Sequence, residues 1–116
     1  VNLSRHFARI QGARHSTVVA EATLTADRAR RVALAFDYSD DVSVFLNGQL
    51  LFSGVNGWES RYGFYLGNLD PTNPTQSVWL DLRAGSNTLS FVVSETNFGW
   101  GFFATLGTVT GVTVAP

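Results

Sequence analysis

Hydrophobic and polar residues alternate along most of the chain with a period of two. In segment 31–39, for example, Val32, Leu34, Phe36 and Tyr38 fall on one side. Successive side chains of a β-strand point to opposite faces of a sheet, so this pattern predicts a strand with one buried face. The same alternation, or a β-branched composition, predicts further strands over 17–25, 41–46, 49–53, 77–82, 88–95 and 100–106.

Turn residues separate these segments. Asn47-Gly48 lies between two of them, and this dipeptide favours the positive φ angles of a two-residue hairpin turn. The segments on either side are therefore predicted to form a hairpin. Residues 83–87, with the sequence RAGSN, predict a second hairpin between the strands that flank them.

No ten-residue stretch carries a helical stripe, and several short strands at this spacing indicate an all-β sandwich or barrel. The length of 116 residues suits one domain. We therefore expect a single domain over residues 1–116. Within it, residues 1–16 are poorly patterned, and residues 107–116 form a last strand or begin a linker.

Composition excludes some classes of site and function. The chain has no cysteine, which rules out disulfides and thiolate metal sites. Its net charge of −1 argues against a general affinity for nucleic acid. No apolar run is long enough to insert into a membrane. The chain has no methionine and starts at Val1, so we expect a domain trimmed from a longer protein.

Charge is unevenly distributed. Residues 1–31 contain six arginines against Glu21 and Asp27, a net charge of +4, whereas the remaining residues carry −5. One interpretation is a basic patch for an anionic partner. The other, which we favour, is that the N-terminal strands pair with acidic strands inside the fold.

Five segments of the chain carry recognisable motifs. They are AEATL at 20–24, VAL at 32–34, YSDDVSVFLNG at 38–48, an L-x-x-G-x-N-x-L run at 82–89 and GWGF at 99–102. Over roughly residues 17–106 they resemble the galactose-binding-like jelly-roll domains, which are often attached to bacterial glycoside hydrolases, esterases and other secreted enzymes. The resemblance implies an antiparallel jelly-roll β-sandwich of about eight strands. It also implies an extracellular or periplasmic accessory module that either binds carbohydrate or braces a neighbouring catalytic domain.

The sequence offers little for catalysis. The only histidines, His6 and His15, lie in the poorly patterned segment, and no Gly-x-Ser-x-Gly nucleophile elbow is present. Asp40 and Asp41 are adjacent, so in a strand they would point to opposite faces instead of forming a carboxylate pair. We expect a protein that is not an enzyme; a hydrolase would need a histidine beside a serine or a carboxylate pair in a cleft.

No cofactor is expected, with one alternative. Modules of the resembled family often hold a structural Ca²⁺, an ion that takes six to eight oxygen ligands. Asp40, Asp41, Asp70 and Glu95 are conceivable ligands, although the sequence has no Asp-x-Asp-x-Asp-Gly loop.

Carbohydrate binding needs aromatic surfaces for the C–H faces of sugars and fixed polar groups for their hydroxyls. A glycine-rich turn supplies such groups in Trp58, Arg61 and Tyr62, and a second segment supplies Asn97 and Trp100. These five residues are the predicted ligand-binding set.

Other interpretations of the same aromatic and charged residues stay open. Trp79 is a third aromatic candidate, because it lies opposite the apolar face of its own strand. Each tryptophan could instead belong to the core, and Glu95 could pair internally with Arg61.

The sequence thus predicts a non-catalytic carbohydrate-binding accessory module. The alternative is a structural or protein-interaction domain that packs against a parent enzyme. Its docking surface would be an apolar patch of Trp79 with Phe45 and Phe103.

Overall fold

The computed structural model describes residues 16–55, 72–95, 101–107 and 109–116, and all the regular structure within them is β-strand. The prediction of an all-β domain with about eight strands is confirmed. The strands are β1 (Ser16–Ala26), β2 (Arg30–Ser39), β3 (Asp41–Leu46), β4 (Gln49–Val55), β5 (Gln76–Leu82), β6 (Gly85–Glu95), β7 (Gly101–Leu106) and β8 (Val112–Ala115).

The strands form two antiparallel sheets. One has five strands in the order β4-β3-β6-β1-β8, and the other has three in the order β5-β2-β7. Each strand turns one face toward the other sheet, so the molecule is a β-sandwich, as predicted. The jelly-roll route of the chain stays a prediction.

The alternation seen in the sequence matches the burial of the strands. In β3, for example, Val42, Val44 and Leu46 are buried while the residues between them are partly exposed. Aromatic rings fill the centre of the sandwich, where Phe36 contacts Phe52 and Phe91 edge to face. The buried hydrophobic residues are Leu24, Ala26, Val32, Leu34, Phe36, Tyr38, Val42, Val44, Leu46, Leu80, Leu82, Leu89, Phe91, Val93 and Phe102.

The predicted hairpin of β3 and β4 is confirmed. Asn47 and Gly48 have φ angles of 51° and 80°, the two positive values that this turn requires. Asn47 also ties the turn to β6: its backbone N–H donates to the Thr88 carbonyl at 2.8 Å, and its side-chain oxygen accepts from the Thr88 N–H at 2.9 Å.

The predicted hairpin of β5 and β6 is wrong. The two strands follow each other closely in sequence, but β5 pairs with β2 in the three-stranded sheet, whereas β6 pairs with β1 and β3 in the five-stranded sheet. The short connection at 83–84 carries the chain from one layer to the other. Alternation identifies the buried face of a strand but not its hydrogen-bonding neighbour, so the sequence pattern could not distinguish these two arrangements.

Asn87 holds this crossing in place. It is fully buried, and its amide nitrogen donates to the carbonyls of Arg83, Gly85 and Leu24 at 2.9, 3.1 and 3.2 Å. Its amide oxygen accepts from the Arg83 N–H and the Asn47 amide nitrogen, both at 3.0 Å. The Asn87 side chain therefore connects three parts of the fold: the crossing between the sheets, strand β1 and the β3–β4 turn.

The same crossing between the sheets explains the L-x-x-G-x-N-x-L run. Its two leucines, Leu82 and Leu89, are buried, and Gly85 has a φ of 91°, which side-chain-bearing residues rarely adopt. The run therefore encodes a change of sheet, which is a structural role.

Candidate functional site

All five predicted ligand-binding residues, Trp58, Arg61, Tyr62, Asn97 and Trp100, lie outside the described residues, as do His6, His15 and Asp70. The described strands show where these segments join the sandwich. In the sheet registers Ser16 lies opposite Glu95, and Asp41 lies opposite both Ser94 and Val55. The strand ends Ser16, Val55 and Glu95 therefore lie at one end of the sandwich, which we call the loop end.

Asp37, Asp40 and Asp41 lie at the loop end, and the hydrogen bonds of Asp37 and Asp40 give these two carboxylates a structural setting. Asp37 is buried; one of its oxygens accepts from the Thr75 N–H at 3.2 Å and from the Thr75 hydroxyl at 2.8 Å. Asp40 is fully buried and accepts from the Ser39 hydroxyl at 2.8 Å. Asp37 therefore fastens the chain before β5 onto β2, and Asp40 lies at the crossing from β2 to β3.

The structure gives no further support to the calcium site. Among the described ranges, no three His, Asp or Glu side chains are grouped so that they could hold a metal ion. Of the four conceivable ligands, only the side chains of Asp40 and Asp41 are described. The predicted Glu95–Arg61 pair likewise stays a prediction, since both side chains lie outside the described set.

Tyr38 lies beside this acidic group and predicts a pH dependence. Burial, together with the charges of Asp37 and Asp41, raises the pKa of the Tyr38 hydroxyl. The folded state therefore favours the neutral phenol. This contribution to stability is complete below the ordinary tyrosine pKa of about 10 and is lost as the pH rises through the raised value.

We expect the free energy of unfolding to fall with rising pH above about 10, and Tyr38→Phe to make that fall shallower. Urea unfolding of both proteins across the alkaline range measures the two slopes. Equal slopes would contradict the assignment to Tyr38.

Trp79 is the large exposed aromatic residue of the described strands. It lies on β5, where its neighbour Leu80 is fully buried, so alternation turns the indole outward from the three-stranded sheet. The side chain remains 59% exposed. The expectation that Trp79 lies opposite the apolar face of its strand is therefore correct.

An ion pair lies beside Trp79 on the same surface. Arg31 on β2 donates from Nε to a carboxylate oxygen of Asp81 at 2.8 Å, and its guanidinium carbon lies 5.7 Å from the centre of the Trp79 ring. This hydrogen bond and the opposite charge lower the pKa of Asp81 and raise that of Arg31. Both side chains remain largely solvent-exposed, at 61% and 73%.

The centre of this sheet carries small side chains. Ala33 and Ala35 on β2 are half-buried and lie between β5 and β7, directly opposite Trp79 and Ser77 on one side. We call this outer surface of the three-stranded sheet the Trp79 face. Its outward positions are Arg31, Ala33, Ala35, Asp37, Ser77, Trp79, Asp81, Phe103 and Thr105, of which Asp37 is buried.

The predicted patch of Trp79, Phe45 and Phe103 does not form. Phe103 lies opposite Asp37 on the three-stranded sheet and shares a face with Trp79. Phe45 lies on β3 of the five-stranded sheet, and its neighbours Val44 and Leu46 point inward. Its side chain is therefore on the opposite side of the sandwich.

Sequence reasoning missed two features of this region. The Arg31–Asp81 pair depends on the register of β2 against β5, for which the sequence carries no direct signal. The Arg31–Asp81 pair does agree with the interpretation that N-terminal arginines pair with acidic strands inside the fold. A second N-terminal arginine, Arg30, pairs instead with nearby Asp27 at 2.7 Å.

The other missed feature is an apolar cleft of about 280 Å³ between the sheets. It opens between β7 on one side and β1 and β8 on the other, where small residues line both walls. Only one lining side chain is polar, so the cleft offers few groups that could hydrogen-bond a sugar. The cleft is lined by Ala20, Glu21, Ala22, Leu24, Leu34, Leu89, Phe91, Phe102, Ala104, Leu106 and Val114.

Comparisons with known proteins found no match among protein-family models, curated proteins or solved structures. The resemblance to galactose-binding-like domains therefore stays a prediction. Within the described ranges, no helix is long and apolar enough to cross a membrane.

Proposed function

We propose that this domain is a non-catalytic carbohydrate-binding module and that the Trp79 face is its binding surface. The observation that carries the proposal is the open indole of Trp79, positioned on a regular strand beside the Arg31–Asp81 pair. An aromatic ring offers a flat apolar surface, and sugars present C–H groups that pack against such a surface. The nearby guanidinium and carboxylate supply donors and acceptors for hydroxyl groups.

The rigidity of this surface supports the same proposal. Trp79 and Arg31 both belong to strands that are hydrogen-bonded to each other. The ion pair limits the orientations of Arg31 before any ligand arrives, so less side-chain entropy is lost on binding.

In this proposal the domain works as an accessory module of an extracellular or periplasmic protein, as the sequence resemblance implies. The predicted residues Trp58, Arg61, Tyr62, Asn97 and Trp100 remain a second hypothesis for glycan contacts. Packing against a parent enzyme is the competing role, because one exposed tryptophan on a sheet face also suits a protein partner.

The proposal is tested by Trp79→Ala. Isothermal titration of the intact chain against a panel of soluble neutral polysaccharides should identify a glycan that binds the unmodified protein. Loss of the indole removes its stacking area, so we expect that affinity to fall at least roughly tenfold.

Leu50→Ala is the matched control, because Leu50 is also an exposed apolar residue but lies on the β3–β4 hairpin of the other sheet. We expect it to bind like the unmodified protein. Absence of binding across the panel would refute carbohydrate recognition and favour the docking role. Binding that survives Trp79→Ala unchanged would refute the Trp79 face as the site.

A further inference from the structure

We propose that one edge of β1, together with the apolar cleft beside it, binds an extended peptide that adds a strand to the five-stranded sheet. The partner is a segment of another protein, with apolar residues at alternate positions and a basic residue that lies opposite Glu21. This inference does not depend on glycan binding, because Trp79 lies on the outer surface of the other sheet.

The strand β8 covers only part of this edge. On its other side β1 pairs with β6 from Ser16 to Ala26, but β8 pairs with β1 only from Thr23 onward. No described strand continues the ladder over residues 16–22, which we call the β1 edge. An uncovered edge presents backbone N–H and C=O groups that can pair with another chain. Neither a proline nor a bulge interrupts this one.

The backbone groups that point outward from the β1 edge belong to alternate residues. Directly after β1, the Asp27 N–H donates to the Gly111 carbonyl at 2.9 Å, on the side of β8. Hydrogen-bonding directions alternate along a strand, so the N–H and C=O groups of Thr17, Val19 and Glu21 point to this same side. A peptide that lies antiparallel to β1 would exchange backbone hydrogen bonds at these positions.

The cleft beside the β1 edge accepts the side chains of such a peptide. It opens between β1 and β7 and has a volume of about 280 Å³. Ala20, Ala22 and Ala104 contribute only methyl groups to its walls, and the stacked rings of Phe91 and Phe102 also line it. The inward residues of an added strand would bury apolar area there. An apolar small molecule would fill the cleft but leave the backbone groups unpaired, whereas a peptide strand satisfies both features.

Glu21 determines the charge of the partner. Its side chain is exposed beside the cleft, and the ion pairs among the described residues join Arg30 to Asp27 and Arg31 to Asp81. Opposite charges that face each other on neighbouring strands stabilise the pairing, and like charges weaken it. A basic residue opposite Glu21 therefore favours binding.

The probe is the capped hexapeptide acetyl-Arg-Val-Thr-Val-Thr-Val-amide. In antiparallel register its arginine lies opposite Glu21, and two of its valines lie opposite Ala20 and Val18, on the side of the cleft. We expect saturable binding to the intact chain by isothermal titration, and slower hydrogen exchange of the Thr17, Val19 and Glu21 amides. Absence of binding would overturn the inference. Amides that are already protected without peptide would also overturn it, because another part of the chain or a second copy would then cover the edge.

Two altered peptides separate strand addition from binding in the cleft alone. N-methylation of both threonines removes the donors that face Val19 and Thr17 while keeping every side chain, so we expect the affinity to fall at least roughly tenfold. Replacing the arginine with glutamate should weaken binding at least roughly threefold. Unchanged affinity of the N-methylated peptide would overturn strand addition, and unchanged affinity of the glutamate peptide would overturn the preference for a basic residue.

A variant of the chain tests the cleft. Ala20→Leu fills the cleft with its own side chain and should weaken binding of the hexapeptide at least roughly fivefold. Ala29→Leu is the matched control, since it makes the same change at an exposed position between β1 and β2. Thermal unfolding checks that both variants are folded. Equal affinities of the two folded variants would overturn the part that the cleft plays.

Discussion

Replacing Asn87 with alanine is expected to lower the free energy of unfolding by about 3 kcal/mol. The buried amide of Asn87 bonds Arg83, Gly85, Leu24 and Asn47, so the truncation leaves several backbone groups of the crossing without their partner. A buried donor or acceptor that loses its partner costs about 1–3 kcal/mol, and part of this cost is relieved if water enters. Urea unfolding followed by circular dichroism measures the change.

Asn73→Ala is the control for Asn87→Ala, since Asn73 is the same residue type in an exposed position. We expect Asn73→Ala to change the free energy of unfolding by less than about 0.5 kcal/mol. Asn87→Asp tests the donors separately: it keeps an acceptor for the Arg83 N–H but sets oxygen against three carbonyls, so it should be as damaging as alanine. An unchanged free energy of unfolding in Asn87→Ala would contradict the role of Asn87 in holding the crossing between the sheets.

Phe36→Ala is expected to cause the other large loss, about 4 kcal/mol of unfolding free energy. The Phe36 ring is fully buried, and its centre lies 5.1 Å from that of Phe52 and 5.7 Å from that of Phe91, both edge to face. Removing the ring leaves a cavity between the two sheets in addition to the lost burial. Thermal and urea unfolding measure the loss.

Phe45→Ala provides the comparison, because it removes the same ring from the outer face of the five-stranded sheet. We expect it to cost less than half as much as Phe36→Ala, since Phe45 is only partly buried. Similar losses in the two variants would show that the core does not lie between the sheets as described.

Much of the fold could be predicted from the chain because alternation reports burial directly. Val42, Val44 and Leu46 predicted both the bounds and the inward face of β3, and Asn47-Gly48 predicted its hairpin. These signals are local: they depend on the φ preferences of one turn and on the pleat of one strand.

Assignments that depend on distant pairing could not be made in this way. The sequence around Asn87 predicts a turn, but the side chain's bonds to β1 and the β3–β4 turn decide that the chain changes sheet there. Phe45 and Phe103 likewise carry no mark of which sheet each belongs to. The predicted patch of Trp79, Phe45 and Phe103 was based only on alternation within each strand. It therefore combined residues that lie on opposite sides of the molecule.

The candidate site likewise combines a feature that local alternation predicts with features that depend on distant strand pairing. The alternation of apolar and polar residues along β5 is enough to predict that Trp79 is exposed. Its partners Arg31 and Asp81 come together only through the register of β2 against β5, in which Arg31 lies opposite Asp81 and Ala33 lies opposite Trp79. The binding surface is thus a consequence of strand pairing, because Arg31, Trp79, Asp81 and Phe103 are not adjacent to one another in sequence.

The most direct test of glycan binding at the Trp79 face is an NMR titration of the isotopically labelled chain with the neutral oligosaccharide that binds best. We predict saturable shifts of the Trp79 indole N–H and of the Ala33 and Ala35 methyl groups, with little change at Ser39 and Val55. Shifts confined to the loop end, with the Trp79 face unaffected, would contradict glycan binding at the Trp79 face and would favour the site predicted at Trp58, Arg61, Tyr62, Asn97 and Trp100.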